Sequence, residues 1–147
     1  MKKVAILGKL STKHFAPFKD PSYEIWTMNY HKDMCLIPRI DLLFDIHSKD
    51  ANPKANITRA NYPFKEVEQM LGGQYINNTA SYIIAYAILK GYEVIELYGM
   101  QFKSDIENRT KQYQNVRELI FFAKGRGINI SSPKDPRMLQ EYSLYGV

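Results

Sequence analysis

Hydrophobic and polar positions alternate along this chain in two rhythms. Short apolar or alternating runs occur at Val4 to Leu7, Tyr23 to Met28, Ile40 to His47, Val94 to Tyr98 and Ile128 to Ile130. Their length and their β-branched and aromatic content predict strands. Longer segments with helical spacing lie between them. Pro63 to Leu71 has proline in its first turn and Gly72-Gly73 beyond its end, and Gln112 to Lys124 puts Val116, Leu119, Ile120 and Ala123 on one face. The most legible stretch runs from the polar cap at Asn77 to Tyr82, through Ile83 to Leu89 and the stop Gly91-Tyr92, into the strand that closes on Gly99. Cap, helix, glycine and strand in that order make an αβ unit of a parallel sheet.

The remaining segments fit around this frame. Ser11 or Thr12 is expected to cap a short helix reaching about Phe15, and Asn52-Pro53 marks a long polar loop from Ser48 to Tyr62 with a short strand near Ile57. Met100 to Thr110 is charged and irregular, and Pro136 to Tyr145 can form a terminal helix on which Tyr142 and Tyr145 pack. Alternation of strands and helices predicts an α/β fold, an open and mostly parallel sheet of five or six strands with helices on both faces, because right-handed crossovers place them there.

Composition narrows this little further. A chain of 147 residues with 45% hydrophobic content fits one domain, residues 1–147. The single cysteine, Cys35, excludes an internal disulfide and is expected to be a small buried side chain. The apolar run at Val4 is too short for a signal peptide and no stretch approaches a membrane span, so a cytoplasmic protein without membrane contact is expected, in a bacterium or a phage-infected host cell. The net charge of +5 is scattered along the chain, which disfavours a nucleic-acid face and is as well explained by the phosphates of a small nucleotide.

Open parallel sheets bind ligands outside the carboxyl ends of their strands, where the strand order reverses. That rule nominates Gly8, Lys9, Leu10 and Ser11 after the first strand, Asn29 after the second, and Asp45 with His47 at the end of the third. It also nominates Asn77, Asn78, Thr79, Ala80 and Ser81 at the start of the central helix, and Gly99 with Gln101. A phosphate is expected against Gly8 to Ser11, where backbone amides need no particular side chain, so that Gly8→Val would abolish binding and leave the fold intact. Asp45 and His47 are the acid-base candidates, since a histidine titrates near neutrality and a carboxylate can orient it. The chain has no G-x-G-x-x-G fingerprint, and no metal or cofactor is expected.

These residues carry a resemblance. The order Val4-Ala5-Ile6-Leu7-Gly8, Glu24-Ile25-Trp26-Thr27-Met28-Asn29, Asp41 to His47, Asn78-Thr79-Ala80 through Gly91-Tyr92 to Leu97-Tyr98-Gly99, and Asn115 to Gly127 resembles small phage-encoded Rossmann-like proteins. More distantly it is similar to the bacterial CMP-sialic-acid sialyltransferases and to the archaeal-type 6-hydroxymethylpterin diphosphokinases. The sialyltransferases have a G-x-G-P-S loop after the first strand, an asparagine ending the second, and a T-S-G segment before an L-S-G-I-D strand end. Gly8 and Ser11 match the loop's ends, Asn29 the asparagine, Asn78-Thr79-Ala80 the T-S-G position and Leu97-Tyr98-Gly99-Met100 the strand end. The resemblance therefore implies a nucleotide site and, by analogy with oligomeric relatives, a homo-oligomer. Lys9-Leu10 departs from G-P, Gln101 replaces the aspartate, and the histidines lie at positions 14, 31 and 47, none in the C-terminal part where that family keeps its base.

Two functions follow and stay open on sequence alone. One is an enzyme acting on a nucleotide or nucleotide-sugar, by glycosyl transfer or cleavage of a glycosidic bond. The other is a non-catalytic phage accessory protein that captures a nucleotide-derived host molecule.

Overall fold

The computed structural model describes residues 1–29, 33–47, 49–100 and 107–135. Among them are six strands, β1 (Lys3–Leu7), β2 (Tyr23–Met28), β3 (Leu42–Asp45), β4 (Ile57–Thr58), β5 (Val94–Tyr98) and β6 (Asn129–Ser131). Three α-helices connect them: α1 (Phe64–Leu71), α2 (Thr79–Leu89) and α3 (Glu107–Gly125). The strands form one sheet in the order β4-β3-β2-β1-β5-β6, and every pairing is parallel. The predicted Rossmann-like α/β architecture is the one observed.

The direction of travel decides which face each connection covers. From β1 to β4 the chain steps steadily one way across the sheet; it then returns over the sheet to β5 and steps on to β6. Right-handed crossovers put these two sets of connections on opposite faces. All three α-helices belong to the second set. They pack over Val4, Ile6, Trp26, Phe44, Ile95 and Leu97, with Ile83, Ile84, Ala87, Leu119, Ile120 and Ala123 supplying the helical side of the core. The alternate strand residues Ala5, Leu7, Ile25 and Tyr98 face the other way, under a smaller cluster with Ala16 and Ile37. That face is covered by two 3-10 turns, Ser11–Phe15 and Met34–Leu36.

Most elements fall where the hydrophobic rhythm places them, and the exceptions have physical reasons. Strand β3 is shorter than Ile40 to His47; at its entry the Asp41 side chain accepts from the Ile25 amide (2.7 Å), doing what a backbone carbonyl would do further in. Helix α3 begins at Glu107, inside the segment expected to be irregular. Neither Ser11 nor Thr12 caps the first turn: the cap position is Leu10 and makes no side-chain hydrogen bond. Cys35, expected to be buried, is exposed on the second 3-10 turn. The segment from Pro136 to Tyr145, where a terminal helix was expected, lies outside the described residues. No helix among the described residues is long and apolar enough to cross a membrane.

Candidate functional site

The strand order reverses between β1 and β5, and a cavity of about 610 Å³ opens at the carboxyl ends of the strands there. Its first rim is the junction of those two strands. Gly8 donates its amide to the Tyr98 carbonyl (2.7 Å) and Leu10 donates to the Gly99 carbonyl (2.9 Å), so the loop leaving β1 is stitched to the end of β5. Both glycines are required by this approach. A Cβ on Gly8 would lie 2.3 Å from the Gly99 carbonyl oxygen; Gly99 has φ +68°, and a Cβ there would lie 2.7 Å from the Leu10 carbonyl oxygen. Gly8→Val is therefore expected to break the junction itself, which corrects the expectation that the fold would survive it.

Thr12 completes the stitch. Its Oγ1 accepts from the Gly99 amide (2.8 Å) and donates to Asp135 Oδ2 (2.7 Å). Beneath the loop, Lys13 is buried, and its Nζ donates to the Lys9 carbonyl (3.2 Å). Burial holds the Lys13 pKa below the usual lysine value, against the opposing pull of Asp33.

The second rim is the start of α2. Asn78 caps it: its Oδ1 accepts from the Ser81 amide (3.0 Å), while Nδ2 lies within reach of Asn77 Oδ1 (2.9 Å), Ser81 Oγ (2.9 Å) and Asn115 Oδ1 (3.2 Å). The buried Asn115 also accepts from the Asn77 amide (3.1 Å) and donates to the Tyr75 carbonyl (3.2 Å), tying the approach to α2 onto α3. Ser81 is wholly buried in this network and does not line the cavity. Thr79 and Ala80 do line it, and as the first two residues of the helix their amides have no intrahelical acceptor.

The third rim runs along the ends of β2, β3 and β4. Asn29 sits in the left-handed region (φ +43°), and its amide, oriented to suit its neighbours, donates to the Phe44 carbonyl (3.1 Å) and Asp45 Oδ1 (3.2 Å). Asp45 is buried and its Oδ2 accepts from the Asn52 amide (2.8 Å), so this carboxylate organises the loop after β3 and does not line the cavity. His47 does line it and is exposed. Arg59, just past β4, donates from Nε to the Ile46 carbonyl (3.3 Å) and from Nη2 to the His47 carbonyl (3.0 Å), and its side chain enters the cavity wall.

The structure thus brings Gly8, Lys9, Leu10, Asn29, His47, Asn78, Thr79, Ala80 and Gly99 to one cavity. Ser11, Asp45 and Ser81 stand behind it, and Gln101 lies outside the described residues. Sequence reasoning missed Arg59, although it follows a short strand whose end the switch-point rule would have nominated. It also missed Tyr82, one helical turn from Asn78, and Tyr113 with Gln112 from α3. The Tyr82 phenol is held above its usual pKa, first by burial and then by Glu68, with Arg59 opposing. No carboxylate lines the cavity among the described residues, whereas Lys9 and Arg59 do, so the site is electropositive.

Fold and site together define an open, all-parallel α/β domain with a cationic cavity at its topological switch point. Among solved structures, the chain is similar to the sialyltransferase CST-II in complex with a trisaccharide acceptor and CMP: TM-score 0.51, 15% identity, over 88% of this chain and 79% of that one. A variant of the same enzyme in complex with CMP matches with TM-score 0.51 and 14% identity, over 88% of this chain and 80% of that one. At such identity the likeness concerns the fold. No protein-family model and no curated protein sequence matches the chain.

Proposed function

We propose that this protein binds a nucleotide or nucleotide-sugar in the switch-point cavity, with the phosphate between Lys9 and the open amides of Thr79 and Ala80. The observation that carries the reading is the charge of the lining: Lys9 and Arg59 with two unsatisfied helix amides, and no acidic side chain among the described residues. Tyr82, Phe64 and Tyr113 supply aromatic wall for a base or sugar. The likeness to a sialyltransferase that holds CMP supports the same ligand class. The resemblance to phage-encoded proteins favours a cytoplasmic role in an infected bacterium, and the analogy with oligomeric sialyltransferases favours a homo-oligomer.

Binding is the primary reading because the acid-base pair expected from sequence is not assembled in the cavity: Asp45 is buried in its bonds to Asn52 and Asn29. A second reading, glycosyl transfer or cleavage at the bound nucleotide, is favoured by one observation, the exposed imidazole of His47 in the cavity wall. A thermal-shift panel of nucleoside mono-, di- and triphosphates and nucleotide-sugars tests both, since saturation at a hundredfold excess stabilises by about 2.7 kcal/mol. Absence of any shift overturns the proposal. A ligand recovered intact after prolonged incubation marks a binder, and one converted in the parent but not in His47→Ala marks an enzyme.

A further inference from the structure

The two cations of the cavity stand at opposite ends of it. Lys9 is the second residue past β1 and Arg59 the first past β4, and the sheet order places those strands three apart. At the usual spacing their ends are roughly 14 Å from one another. A single phosphate seated on Lys9 and the α2 amides leaves the Arg59 end without an anion.

Arg59 is prepared to receive one. Its Nε and one Nη2 proton are fixed on the Ile46 and His47 carbonyls, at 3.3 and 3.0 Å, which sets the plane of the guanidinium. The Nη1 protons and the second Nη2 proton remain for a ligand. An arginine already held by its own backbone loses little further freedom on binding, and its fork matches a carboxylate or a phosphate with two parallel hydrogen bonds. The carboxylate nearest in sequence to this rim, Asp45, is occupied by the Asn52 amide and Asn29. His47 lies on the same rim and adds a donor.

We infer that the ligand carries a second anionic group, a sugar carboxylate or a second phosphate, which Arg59 binds at the β3–β4 end of the cavity. This rests on the nucleotide reading above and names the ligand class within it. Because the Arg59 guanidinium is held on the Ile46 and His47 carbonyls, just past β3, the two anionic groups lie closer together than the ends of β1 and β4.

Calorimetric titration with matched pairs tests it: nucleoside 5′-monophosphates against nucleoside 3′,5′-bisphosphates in all four bases, and UDP-glucose against UDP-glucuronate. The expected result is that in at least one pair the member with the added anionic group binds about tenfold more tightly than its partner, that Arg59→Gln removes most of this difference, and that Arg59→Lys keeps part of it. The bisphosphate and uronate arms tell a second phosphate from a carboxylate. Equal affinity within every pair in the parent protein, a measurement that needs no variant, overturns the inference, as does an Arg59→Gln variant that melts normally and weakens both members of each pair alike. If no nucleotide of any base binds, the nucleotide reading fails and the inference with it; binding of monophosphates with no gain from the second anion sinks the inference alone.

Discussion

Two rims of the same cavity use their backbone amides in opposite ways. After β1, where a phosphate loop was expected, Gly8 and Leu10 donate to the carbonyls of Tyr98 and Gly99 and so join the two central strands. At the start of α2 the helix geometry itself leaves amides over, and Asn78 satisfies the Ser81 amide while Thr79 and Ala80 stay open to the cavity. A glycine-ended strand therefore need not cradle an anion: its amides are available only if no neighbouring strand end takes them. The junction uses its amides within the fold, whereas the helix terminus has amides to spare, and Lys9 lines the cavity from the first rim.

Substitutions can break this contrast in order of expected effect. Gly8→Val places a Cβ 2.3 Å from the Gly99 carbonyl oxygen, and should lower stability by about 3 kcal/mol or more in a denaturant melt. A variant that melts like the parent would mean the junction is not rigid. Lys9→Gln should do the reverse, since the side chain is exposed and only its carbonyl is used, by Lys13. Its melt should be unchanged while affinity for the best nucleotide in the panel falls about tenfold, as for the loss of a charged hydrogen bond, and less so in high salt.

Asn78→Ala sharpens the comparison from the other side. The side chain is saturated by Ser81, Asn77 and Asn115, so its loss should cost about 1 kcal/mol of stability and leave affinity within about twofold. A large loss of affinity at unchanged stability would place Asn78 among the ligand contacts instead. The smallest effect concerns pH. The phenols of Tyr23 and Tyr98 both donate to the Glu96 carboxylate, at 2.7 and 2.6 Å. Burial, with the neighbouring Glu96 charge, pushes Tyr23 up to about 12 and Tyr98 up as well. A raised phenol pKa favours the neutral folded form, so this stabilisation is complete below about pH 10 and is lost as the pH rises toward 12. Alkaline melts should show the decline in the parent and a shallower one in Glu96→Gln, because the substitution removes the Glu96 share of the shift and leaves that of burial.

The sequence pattern disclosed the architecture because the strands are continuous apolar runs and the helices are capped and stopped by identifiable residues, Asn78 and Gly72 among them. It disclosed the position of the cavity through the switch-point rule, which needs only strand ends. It did not disclose what each polar group at those ends is bonded to. Asp45 and Ser81 are polar residues at the right places that are buried against Asn52 and Asn78, whereas Asn29 reaches the cavity while bonded to Phe44 and Asp45. Arg59 was hidden for a different reason: the short strand was expected near Ile57, but two residues inside a polar loop do not mark where a strand ends, and its end counts as much as any other.

Strand β1 lies at the centre of the sheet, and its register pairs Lys3 both with Tyr23 and with Val94. The first partner emerges soon after β1 during synthesis; the second arrives only when well over half of the chain has been made. A nascent chain can accordingly build the β1-to-β4 half of the sheet early, but its Gly8 loop has nothing to join until Tyr98 and Gly99 are translated, and non-local pairing of this kind is slow to form. Until then one edge of β1 stands unpaired, the exposed template that invites association with other chains. Pausing of the ribosome between α1 and β5 would therefore lengthen the window for aggregation, and the cavity between the ends of β1 and β5 is complete only once β5 has paired.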